Sequence, residues 1–482
     1  MERPVQPGQL ADVLALVEPD DVVLLLPGIH TTPAPIAIPR GGEKGKPLVI
    51  RGTPGAILDG RRPPNPNDLQ FRNKPNRTHQ PQMGDWCFFS LFDLEYVVFE
   101  NLTIRRCWPM AIFTQNCRYI TWRNCNVTGG TFAFFARDDF TRGEESHHFL
   151  IEWCSWIQDE TPEHKLWLQY EWEDAHGGAD GHNGLRYFNG GFFGSGDILG
   201  NVVIRNNQIS DAYNGVVFWA TKDLKKPENE KEMMRRNHNI FVHDNVFARI
   251  RDNPIEPEGH MHDLRVHHNT FFNCHGWFSL DSVAGGFWYF YGNTGYFDSR
   301  QGGSTSRMGK VFKFYSEGPF PIHPVYVFNN SWHLRCPVIS GDVDAKHVTS
   351  KLEFFGNAIE FCKPQDGVLC TGVDFIENFD FEKSDASFDY DVSSQAQFPW
   401  AMQREKQEAN GRPAGGPIFT DGQGGDFSLV LGSAAAGAGH AATISLADGS
   451  TVKILPQNAG VMQGADPISV PALENDDNAA FA

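Results

Sequence analysis

One short pattern occurs three times in succession, as Asn239-Ile-Phe-Val-His-Asp-Asn245-Val-Phe247, Leu264-Arg-Val-His-His-Asn269-Thr-Phe271 and Phe290-Tyr-Gly-Asn293. The asparagines of successive copies are 24 residues apart. Each copy begins as an alternating strand, has Asn near its end and continues with an apolar residue two positions later. A fixed period of this size is typical of a solenoid, in which each repeat stacks on the last because it cannot bury its apolar face alone.

The same register extends over regular coils from about residue 95 to 362. The strand positions that we expect to point inward are Phe99, Trp122, Ile151, Ile204, Val242, Val266, Phe290, Val327 and Phe354. Three positions after them lie Leu102, Cys125 and Cys154, and then Asn207, Asn245, Asn269, Asn293, Asn330 and Asn357. Stacked amides at a bend can hydrogen-bond one another and the backbone, so we interpret these asparagines as structural.

Composition limits the class of protein. The chain has 482 residues, 40% hydrophobic content, 38 Phe and 12 Trp, which is ample for a core. The net charge of −18 argues against a nucleic-acid partner and mildly against a polyanionic substrate, although a local basic groove would override the average. Nine cysteines without paired metal spacing indicate mostly buried thiols. No apolar stretch reaches a transmembrane length, so we expect no membrane partner.

Both ends of the chain carry a resemblance. Glu18-Pro-Asp-Asp-Val-Val-Leu-Leu-Leu-Pro-Gly and Gly45-Lys-Pro-Leu-Val-Ile-Arg-Gly, with Asp426-Phe-Ser-Leu-Val-Leu-Gly-Ser near the other end, resemble the opening and closing segments of right-handed parallel β-helix carbohydrate-active enzymes. The resemblance implies an all-β, right-handed parallel β-helix with loop insertions. We expect one domain over residues 1–482, about ten coils, and a C-terminal extension over about 383–482 that packs on the coils.

Insertions interrupt the period over 158–200, from Lys222 to Arg236, and at the Gly/Ser-rich segment after Gly302. In solenoids such insertions gather over one face, often the binding face. From the first insertion, His182 and Arg186 are candidate substrate contacts. A metal site from His176, Asp180 and His182 is less favoured than a polar loop, and we predict no metal.

The chemistry is expected on the strand that follows each asparagine strand. If Ile255, Pro257, Phe278, Leu280, Phe312 and Phe314 point inward, then alternation points Glu256, Glu258, Ser279, Asp281, Lys313 and Tyr315 outward on one face. Trp219, on the corresponding strand of an earlier repeat, and Tyr315 are candidate sugar platforms. Arg137 is a further candidate substrate contact. Acidic, basic and aromatic side chains on one face make a groove of the kind that sugars bind.

The carboxylates favour glycoside hydrolysis. Glu256 and Glu258 are about 6.6 Å apart along one strand, and Asp281 is expected one rung of about 4.8 Å away. Hydrolysis needs two carboxyls roughly 5–9.5 Å apart, one as proton donor and one as base or nucleophile. We predict Asp281 and Glu258 as this pair, with Glu256 favouring protonation of the donor or binding substrate. Leu280-Asp281-Ser-Val-Ala-Gly-Gly also resembles the acidic strand end of β-helix glycosidases.

Two alternatives stay open. Asp252-Asn-Pro-Ile-Glu256-Pro-Glu258 resembles the Glu-x-Glu calcium ligands of chondroitinase-type and alginate lyases, which implies calcium if the chain is a lyase. Asp263 stands where those lyases have Lys, and Asp281 and its neighbours stand where they have Arg, so Lys313 or Arg137 would have to supply the cation. The other alternative is a non-catalytic β-helix. The hydrolase needs no cofactor, the partner is a poly- or oligosaccharide, and an extracellular or periplasmic location is slightly favoured.

Overall fold

A computed structural model gives the positions of most of the chain. It describes residues 1–65, 81–138, 146–170, 172–176, 185–220, 235–280, 283–298, 310–314, 323–340, 351–363, 369, 375–377, 379, 381, 384–456 and 458–460. The chain divides into two compact units, one ending at residue 220 and the other spanning residues 221–469. In the part of the chain that the structure describes, no helix is both long enough and apolar enough to cross a membrane.

The first unit consists of three parallel sheets. In chain order its strands are β1 Glu2–Val5, β2 Val22–Leu25, β3 Gly28–Thr31, β4 Ile36–Ala37, β5 Leu48–Gly52, β6 Ala56–Arg62, β7 Cys87–Phe92, β8 Glu95–Glu100, β9 Thr103–Cys107, β10 Met110–Gln115, β11 Arg118–Arg123, β12 Asn126–Thr128, β13 Phe132–Arg137, β14 His147–Glu152, β15 Ser155–Ile157, β16 Phe193–Gly196, β17 Gly200–Arg205, β18 Gln208–Ala212 and β19 Val216–Trp219. Sheet A is β1-β2-β5-β8-β11-β14-β17, sheet B is β3-β6-β9-β12-β15-β18 and sheet C is β4-β7-β10-β13-β16-β19. Its short helices are Leu10–Leu14, Lys165–Leu168, Trp172–His176 and the 3-10 turn Arg186–Phe188.

The second unit repeats this arrangement. Its strands are β20 His238–His243, β21 Val246–Ile250, β22 Ile255–Glu258, β23 His260–His267, β24 Thr270–Cys274, β25 Gly276–Leu280, β26 Ala284–Tyr291, β27 Thr294–Tyr296, β28 Lys310–Phe314, β29 Val325–Phe328, β30 Ser331–Leu334, β31 Ile339–Ser340, β32 Leu352–Phe355, β33 Ala358–Phe361, β34 Ala386–Asp389, β35 Val392–Ser393, β36 Arg412–Pro413, β37 Phe419–Asp421, β38 Asp426–Leu429, β39 Ala442–Ser445 and β40 Thr451–Ile454. Here sheet A is β20-β23-β26-β29-β32-β34, sheet B is β21-β24-β27-β30-β33-β35-β36 and sheet C is β22-β25-β28-β31. Two antiparallel hairpins, β37–β38 and β39–β40, follow the coils. The helix Trp400–Arg404 lies between β35 and β36 in the chain, and the 3-10 turn Gly422–Gly424 connects β37 to β38.

The predicted right-handed parallel β-helix is confirmed, because the described strands recur in the order A, B, C over most of the coils and every pairing between described coils is parallel. The predicted inward positions are also confirmed. Trp122 pairs with Phe99 and with Ile151, and Val266 pairs with Val242 and with Phe290. All nine inward side chains are buried, so each coil closes its apolar face against the next. Described sheet A strands begin at Glu2, so the coiling starts well before residue 95 and exceeds ten turns.

The corner between sheets A and B is the most regular part of the fold. From β8 onward, every described A strand is followed by its B strand after two residues. The first of the two adopts a left-handed conformation, for instance φ 53° at His268 and 62° at Gly292. The second is the predicted asparagine position. The left-handed residue bends the chain sharply from sheet A into sheet B, and the asparagine side chain that follows points into the coil.

In the second unit the asparagine amides form a continuous ladder. The Asn293 Oδ1 atom accepts hydrogen bonds from the Asn269 backbone N at 3.0 Å and from the Asn269 Nδ2 at 3.1 Å. Asn245 donates in the same way to Asn269, Asn293 to Asn330, and Asn330 to Asn357. Since these groups are buried, each bond also satisfies a backbone donor that has no strand partner at the corner. The structural interpretation of these asparagines is confirmed.

Cysteines occupy the same corner in the first unit. The Cys154 Sγ accepts a long hydrogen bond of 3.4 Å from the Cys125 backbone N, where an asparagine oxygen would otherwise stand. All eight described cysteines are unpaired and buried, as the sequence predicted. Burial raises the pKa of the Cys87 and Cys117 thiols to about 12. The described cysteines therefore pack in the core as small apolar side chains.

The ladder ends at a carboxylate. Asp391 takes the next asparagine position and its Oδ1 accepts from the Asn357 backbone N at 2.7 Å and from Nδ2 at 2.9 Å. Its own backbone N donates to the Glu408 Oε2 at 3.2 Å. Burial raises the pKa of Asp391, and burial together with the Asp391 charge raises the pKa of Glu408. The two buried carboxyls therefore favour holding a proton between them.

The predicted packing of the C-terminal extension on the coils is confirmed within the second unit. Buried Glu360 of sheet B accepts hydrogen bonds from the backbone N atoms of Ile418 and Phe419 at 2.7 and 2.9 Å, and its other oxygen is 2.8 Å from His333 Nδ1. On sheet A, the Tyr289 hydroxyl donates to the Ser445 carbonyl at 2.9 Å. Hairpins β37–β38 and β39–β40 are therefore fixed to different sheets.

A row of stacked rings lies on the outside of sheet A. His243 stacks on His267 at 4.7 Å, and His267 stacks on Tyr291 at 4.8 Å. The row continues through Phe328 to Phe355, under the β39–β40 hairpin. Burial lowers the pKa of His267 well below its ordinary value, and the neighbouring charges of His243, His268 and Arg265 act in the same direction.

Replacing Asp391 with Asn should stabilise the protein, and more so at high pH. The folded state binds the Asp391 proton more tightly than the unfolded chain does, because the folded pKa is raised. Above the folded pKa this proton is lost, so the carboxyl contributes least to stability at high pH. We expect Asp391→Asn to raise the Tm at pH 8 and to lose most of this advantage at pH 4. Thermal melts across this range measure it. Asn357→Asp should have the opposite sign at pH 8, and a gain for Asp391→Asn that is equal at both pH values would contradict the explanation.

Replacing His267 with Phe should make the protein less sensitive to acid. The folded state keeps His267 neutral, whereas an unfolded histidine is protonated below about pH 6.5, so stability is lost as pH falls below that value. One such histidine costs about 1.4 kcal/mol at pH 5.5. The stability of His267→Phe relative to wild type should therefore increase between pH 8 and pH 5.5 in denaturant titrations. Tyr291→Phe, in the same row, is the control whose relative stability should not change with pH.

Candidate active site

Several long connections between described strands lie at the two edges of sheet C. Whereas the A–B corner keeps two residues, the chain from Ile157 to Phe193 and from Tyr296 to Lys310 leads into a C strand, and the chain from Phe314 to Val325 leads out of one. Loops that vary in length on a rigid scaffold are where binding residues concentrate. The outer face of sheet C is therefore the candidate site.

The alternation predicted for this face is confirmed in β22. Ile255 and Pro257 are buried, Glu256 is half-buried and Glu258 is exposed. Ile255 pairs with Phe278, which pairs with Phe312, so these rings form an inward column. The described residue that follows each of them points to the other face.

Glu256, Ser279 and Lys313 occupy the outward position on three successive rungs; Glu256 and Lys313 are half-buried, whereas Ser279 is buried. Ser279 pairs with Lys313, and the register of Ile255 with Phe278 places Glu256 beside Ser279. Neighbouring rungs are about 4.8 Å apart, so the Glu256 and Lys313 backbones are separated by roughly 10 Å. Glu258 lies two residues further along the same strand as Glu256. The structure thus places three of the predicted site residues, Glu256, Glu258 and Lys313, on one surface.

Three predicted site residues, Asp281, Tyr315 and His182, lie outside the described residues. The placement of Asp281 and Tyr315 on the face of Glu258 and Lys313 stays a prediction from the strand alternation, and the contact of His182 with substrate stays a prediction from the insertion. The described residues next to Asp281 and Tyr315, Leu280 and Phe314, close their respective strands.

A basic cluster that sequence reasoning missed borders this column. Arg251 precedes β22, His275 precedes β25 and Lys310 begins β28, and the backbone joins these three rungs through His275 N to Ile250 O at 3.0 Å and Lys310 N to His275 O at 3.1 Å. Burial, together with the positive charges of Arg251, Lys310 and Lys313, lowers the pKa of His275 to about 3. The His275 imidazole is therefore neutral, and the positive charges of Arg251, Lys310 and Lys313 all act on it.

The cations of this cluster differ in exposure. Arg251 is completely buried, whereas Lys310 and Lys313 are half-buried. Lysine ammonium groups at the edge of a groove can bind a carboxylate, and a buried guanidinium adds a fixed positive potential behind them. The repeated position of Arg251, His275 and Lys310, just before or at the start of each C strand, was the available sequence signal.

Trp219 and Arg137 belong to the first unit, where they share an outward column of sheet C with Gly196 between them. Trp219 is half-buried, with its ring 5.8 Å from Phe132 and 6.0 Å from Phe135. Arg137 donates from Nη1 to the Pro81 carbonyl at 3.1 Å, so part of its guanidinium holds a neighbouring segment in place. One face of Trp219 is therefore committed to packing, and its role as a sugar platform stays a prediction.

Arg186 opens the 3-10 turn Arg186–Phe188 in the first unit. Phe188 of the same turn packs edge-on against Trp108 with 5.9 Å between ring centroids. The turn thus holds Arg186 beside the B–C corner. The contact of Arg186 with substrate stays a prediction.

Among the described residues there is no group of three or more His, Cys, Asp or Glu side chains that could hold a metal ion. Glu256 and Glu258 supply two carboxylates on one strand, whereas calcium takes six to eight oxygen ligands. The described residues alone do not make a calcium site. His260 begins β23 in sheet A and is buried.

Comparisons with known proteins point to the fold. No protein-family profile and no curated protein sequence matches the chain. Among solved structures, a mutant of the family 6 alginate lyase AlyGC aligns with a TM-score of 0.50 and 11% identity over 97% of this chain and 58% of that one. A mannuronic-acid-specific family 6 lyase from human gut microbiota gives 0.44 and 11% over 83% and 84%, and the Yersinia enterocolitica family 28 exopolygalacturonase gives 0.49 and 10% over 83% and 77%. At these identities the likeness establishes the parallel β-helix fold alone.

Proposed function

We propose that this chain cleaves glycosidic bonds in an acidic, uronate-containing polysaccharide on the outer face of sheet C, and that it does so as a hydrolase. The observation that carries the proposal is the arrangement of Glu256, Glu258 and Lys313 on one surface beside a basic cluster. The solved β-helix structures described as lyases and as an exopolygalacturonase support a polysaccharide substrate. Neither they nor the fold choose between the two reactions.

The carboxylates support hydrolysis. One carboxylic acid protonates the leaving glycosidic oxygen while a second carboxylate activates water or attacks the anomeric carbon, and water supplies the new hydroxyl. Glu258 is exposed and accessible to a sugar chain. We assign Glu258 and Asp281 as the acid and base or nucleophile pair. Glu256, half-buried beside Ser279, positions substrate or favours the protonated form of its neighbour.

The basic cluster supports an acidic substrate. Lys310 and Lys313 are the first and fourth residues of β28, in the same sheet as Glu256 and Glu258. Acidic residues outnumber basic ones in this chain, which has a net charge of −18, so a cluster of cations on successive rungs indicates a binding role. A uronate carboxylate is the group in a polysaccharide that such cations would bind.

A calcium-dependent lyase is the second candidate, and Lys313 favours it. β-Elimination removes the proton next to the uronate carboxylate, expels the glycosidic oxygen and leaves a carbon–carbon double bond without consuming water. It requires a base and a cation that neutralises the carboxylate. Lys313 can provide that charge, and Glu256 and Glu258 are the residues that would hold calcium if oxygen ligands outside the described residues complete the site. A non-catalytic binding β-helix is a third candidate, which the carboxylates make less attractive.

A panel of neutral and uronate-containing polysaccharides separates these candidates. Release of reducing ends without absorbance from unsaturated uronate identifies a hydrolase. Absorbance from unsaturated uronate, lost with a chelator and restored by calcium, identifies the lyase. Binding without either signal identifies the non-catalytic protein, and the absence of both cleavage and binding over the whole panel would overturn the proposal.

Removing either member of the acid–base pair should nearly abolish cleavage. Loss of a general acid or base typically lowers the rate by about 100-fold or more, so Glu258→Gln and Asp281→Asn should each reach that loss in kcat. Glu353→Gln is the matched control, because Glu353 is exposed on sheet A of the same unit. Circular dichroism checks that the variants fold. Near-normal activity in both site variants would place the chemistry on another face.

Replacing Lys313 with Gln should weaken binding of an acidic substrate more than of a neutral one. Loss of one charge-assisted hydrogen bond of about 1.5 kcal/mol should raise KM for a uronate polymer about 10-fold. The sensitivity of KM to salt should fall at the same time. Lys453→Gln, on the exposed side of β40, is the control with equal loss of charge. An equal effect of Lys313→Gln on a neutral polymer would argue against uronate recognition.

A further inference from the structure

A pocket lies in the second unit on the outer face of sheet B, away from the C strands that carry the candidate active site. It has a volume of about 620 Å³. Its floor is a row of hydroxyl side chains on successive rungs, Thr270, Thr294 and Ser331, which pair in register. The Thr270 and Thr294 hydroxyl oxygens are 3.1 Å apart. A continuous strip of hydroxyl groups therefore faces the space.

Aromatic rings form the wall of this pocket. Tyr296, two residues along the strand from Thr294, stacks on Phe272 at 4.8 Å and meets the edge of Phe427 at 6.1 Å. Both Tyr296 and Phe427 line the space and are half-buried. The stacking on Phe272 fixes the orientation of the Tyr296 ring, so the wall is rigid before any ligand arrives.

The C-terminal extension forms the roof. Hairpin β37–β38 is held over sheet B by the two hydrogen bonds from Ile418 and Phe419 to buried Glu360. Gly425, at φ 84°, lets the hairpin approach closely, since a Cβ there would lie 2.9 Å from the Tyr296 Cζ. On the other side Asn458 lines the space, and its Oδ1 accepts from the Gly437 backbone N at 2.9 Å. Roof and floor thus come from segments that are distant in the sequence but firmly joined.

We propose that this pocket binds one or two neutral sugar units. Its chemistry matches such a ligand, because hydroxyl and amide side chains can hydrogen-bond sugar hydroxyls while the rings of Tyr296 and Phe427 cover the C–H face of the sugar. A volume of about 620 Å³ lies in the range of small-molecule sites. None of the described residues that line it is charged, which disfavours an anion, a cation or a uronate.

This second site is independent of the proposed cleavage reaction. It lies on sheet B, whereas Glu256, Glu258 and Lys313 lie on sheet C. A neutral unit bound there would hold a chain or a branch on the protein without contacting the carboxylates. It would therefore raise affinity for substrates that carry neutral sugars and leave turnover of a purely acidic oligosaccharide unchanged.

Saturation-transfer NMR of the full chain with glucose, galactose, mannose, cellobiose and glucuronic acid tests the proposal. We expect transfer to at least one neutral sugar and displacement between neutral sugars, with Kd on the order of 1 mM, corresponding to about −4 kcal/mol. Glucuronic acid at the same concentration should not displace the neutral sugar. Absence of transfer to every neutral sugar, or displacement by glucuronic acid, would overturn the proposal.

Variants locate the binding. Thr294→Val keeps the shape of the side chain and removes its hydroxyl, and Phe427→Ala removes a wall ring, so each should weaken neutral-sugar binding at least about threefold. Thr103→Val is the matched control, because Thr103 begins β9 at the equivalent ladder position of sheet B in the first unit. Unchanged binding in both site variants would exclude this pocket. Cleavage assays on the same proteins should show unaltered kcat, and a loss of kcat would show that the pocket belongs to the reaction instead.

Discussion

The structure depends on one constraint, the hydrogen bonding of stacked side chains at the A–B corner. A chain that bends within two residues leaves buried backbone donors without strand partners, and each would cost about 1–3 kcal/mol if unsatisfied. From Asn245 to Asn357, the asparagine oxygen of the next coil accepts both the backbone N and the amide of the coil before it. The bonds therefore fix the vertical register of every coil they join.

Holding one corner constant lets the other two vary. Since register is set at the A–B corner, insertions before and after the C strands do not disturb the stacking of sheets A and B. Sheet C consequently carries side chains whose neighbours differ from rung to rung, such as Glu256, Ser279 and Lys313 in one column. The same rigidity holds Glu360 in place to anchor the C-terminal extension. Both candidate binding surfaces are therefore held by coils whose regular stacking is set at the A–B corner.

The parts of the structure that the sequence predicted are the periodic ones. Inward residues such as Val266 and the asparagine positions recur at a fixed interval, and alternation then orients Glu256 and Glu258 without further information. Arg251, His275 and Lys310 were missed because corner residues have no alternation that reveals their direction. Asp391 was missed because an insertion displaces it from the period. The sheet B pocket was unpredictable from local pattern, since Thr294 and Phe427 meet only through long-range packing.

The basic cluster also bears on whether the net charge of the chain argues against the proposed acidic substrate. The average of −18 predicts repulsion of a polyanion, yet at physiological ionic strength charges more than about 8 Å apart are largely screened when exposed. A sugar carboxylate placed near Lys313 would therefore experience mainly the charges of Lys313, Lys310, Arg251 and the two glutamates. Because Arg251 is buried, its charge is weakly screened and its field extends through protein rather than water. A few cations placed on adjacent rungs can thus outweigh many acidic residues spread over the rest of the surface.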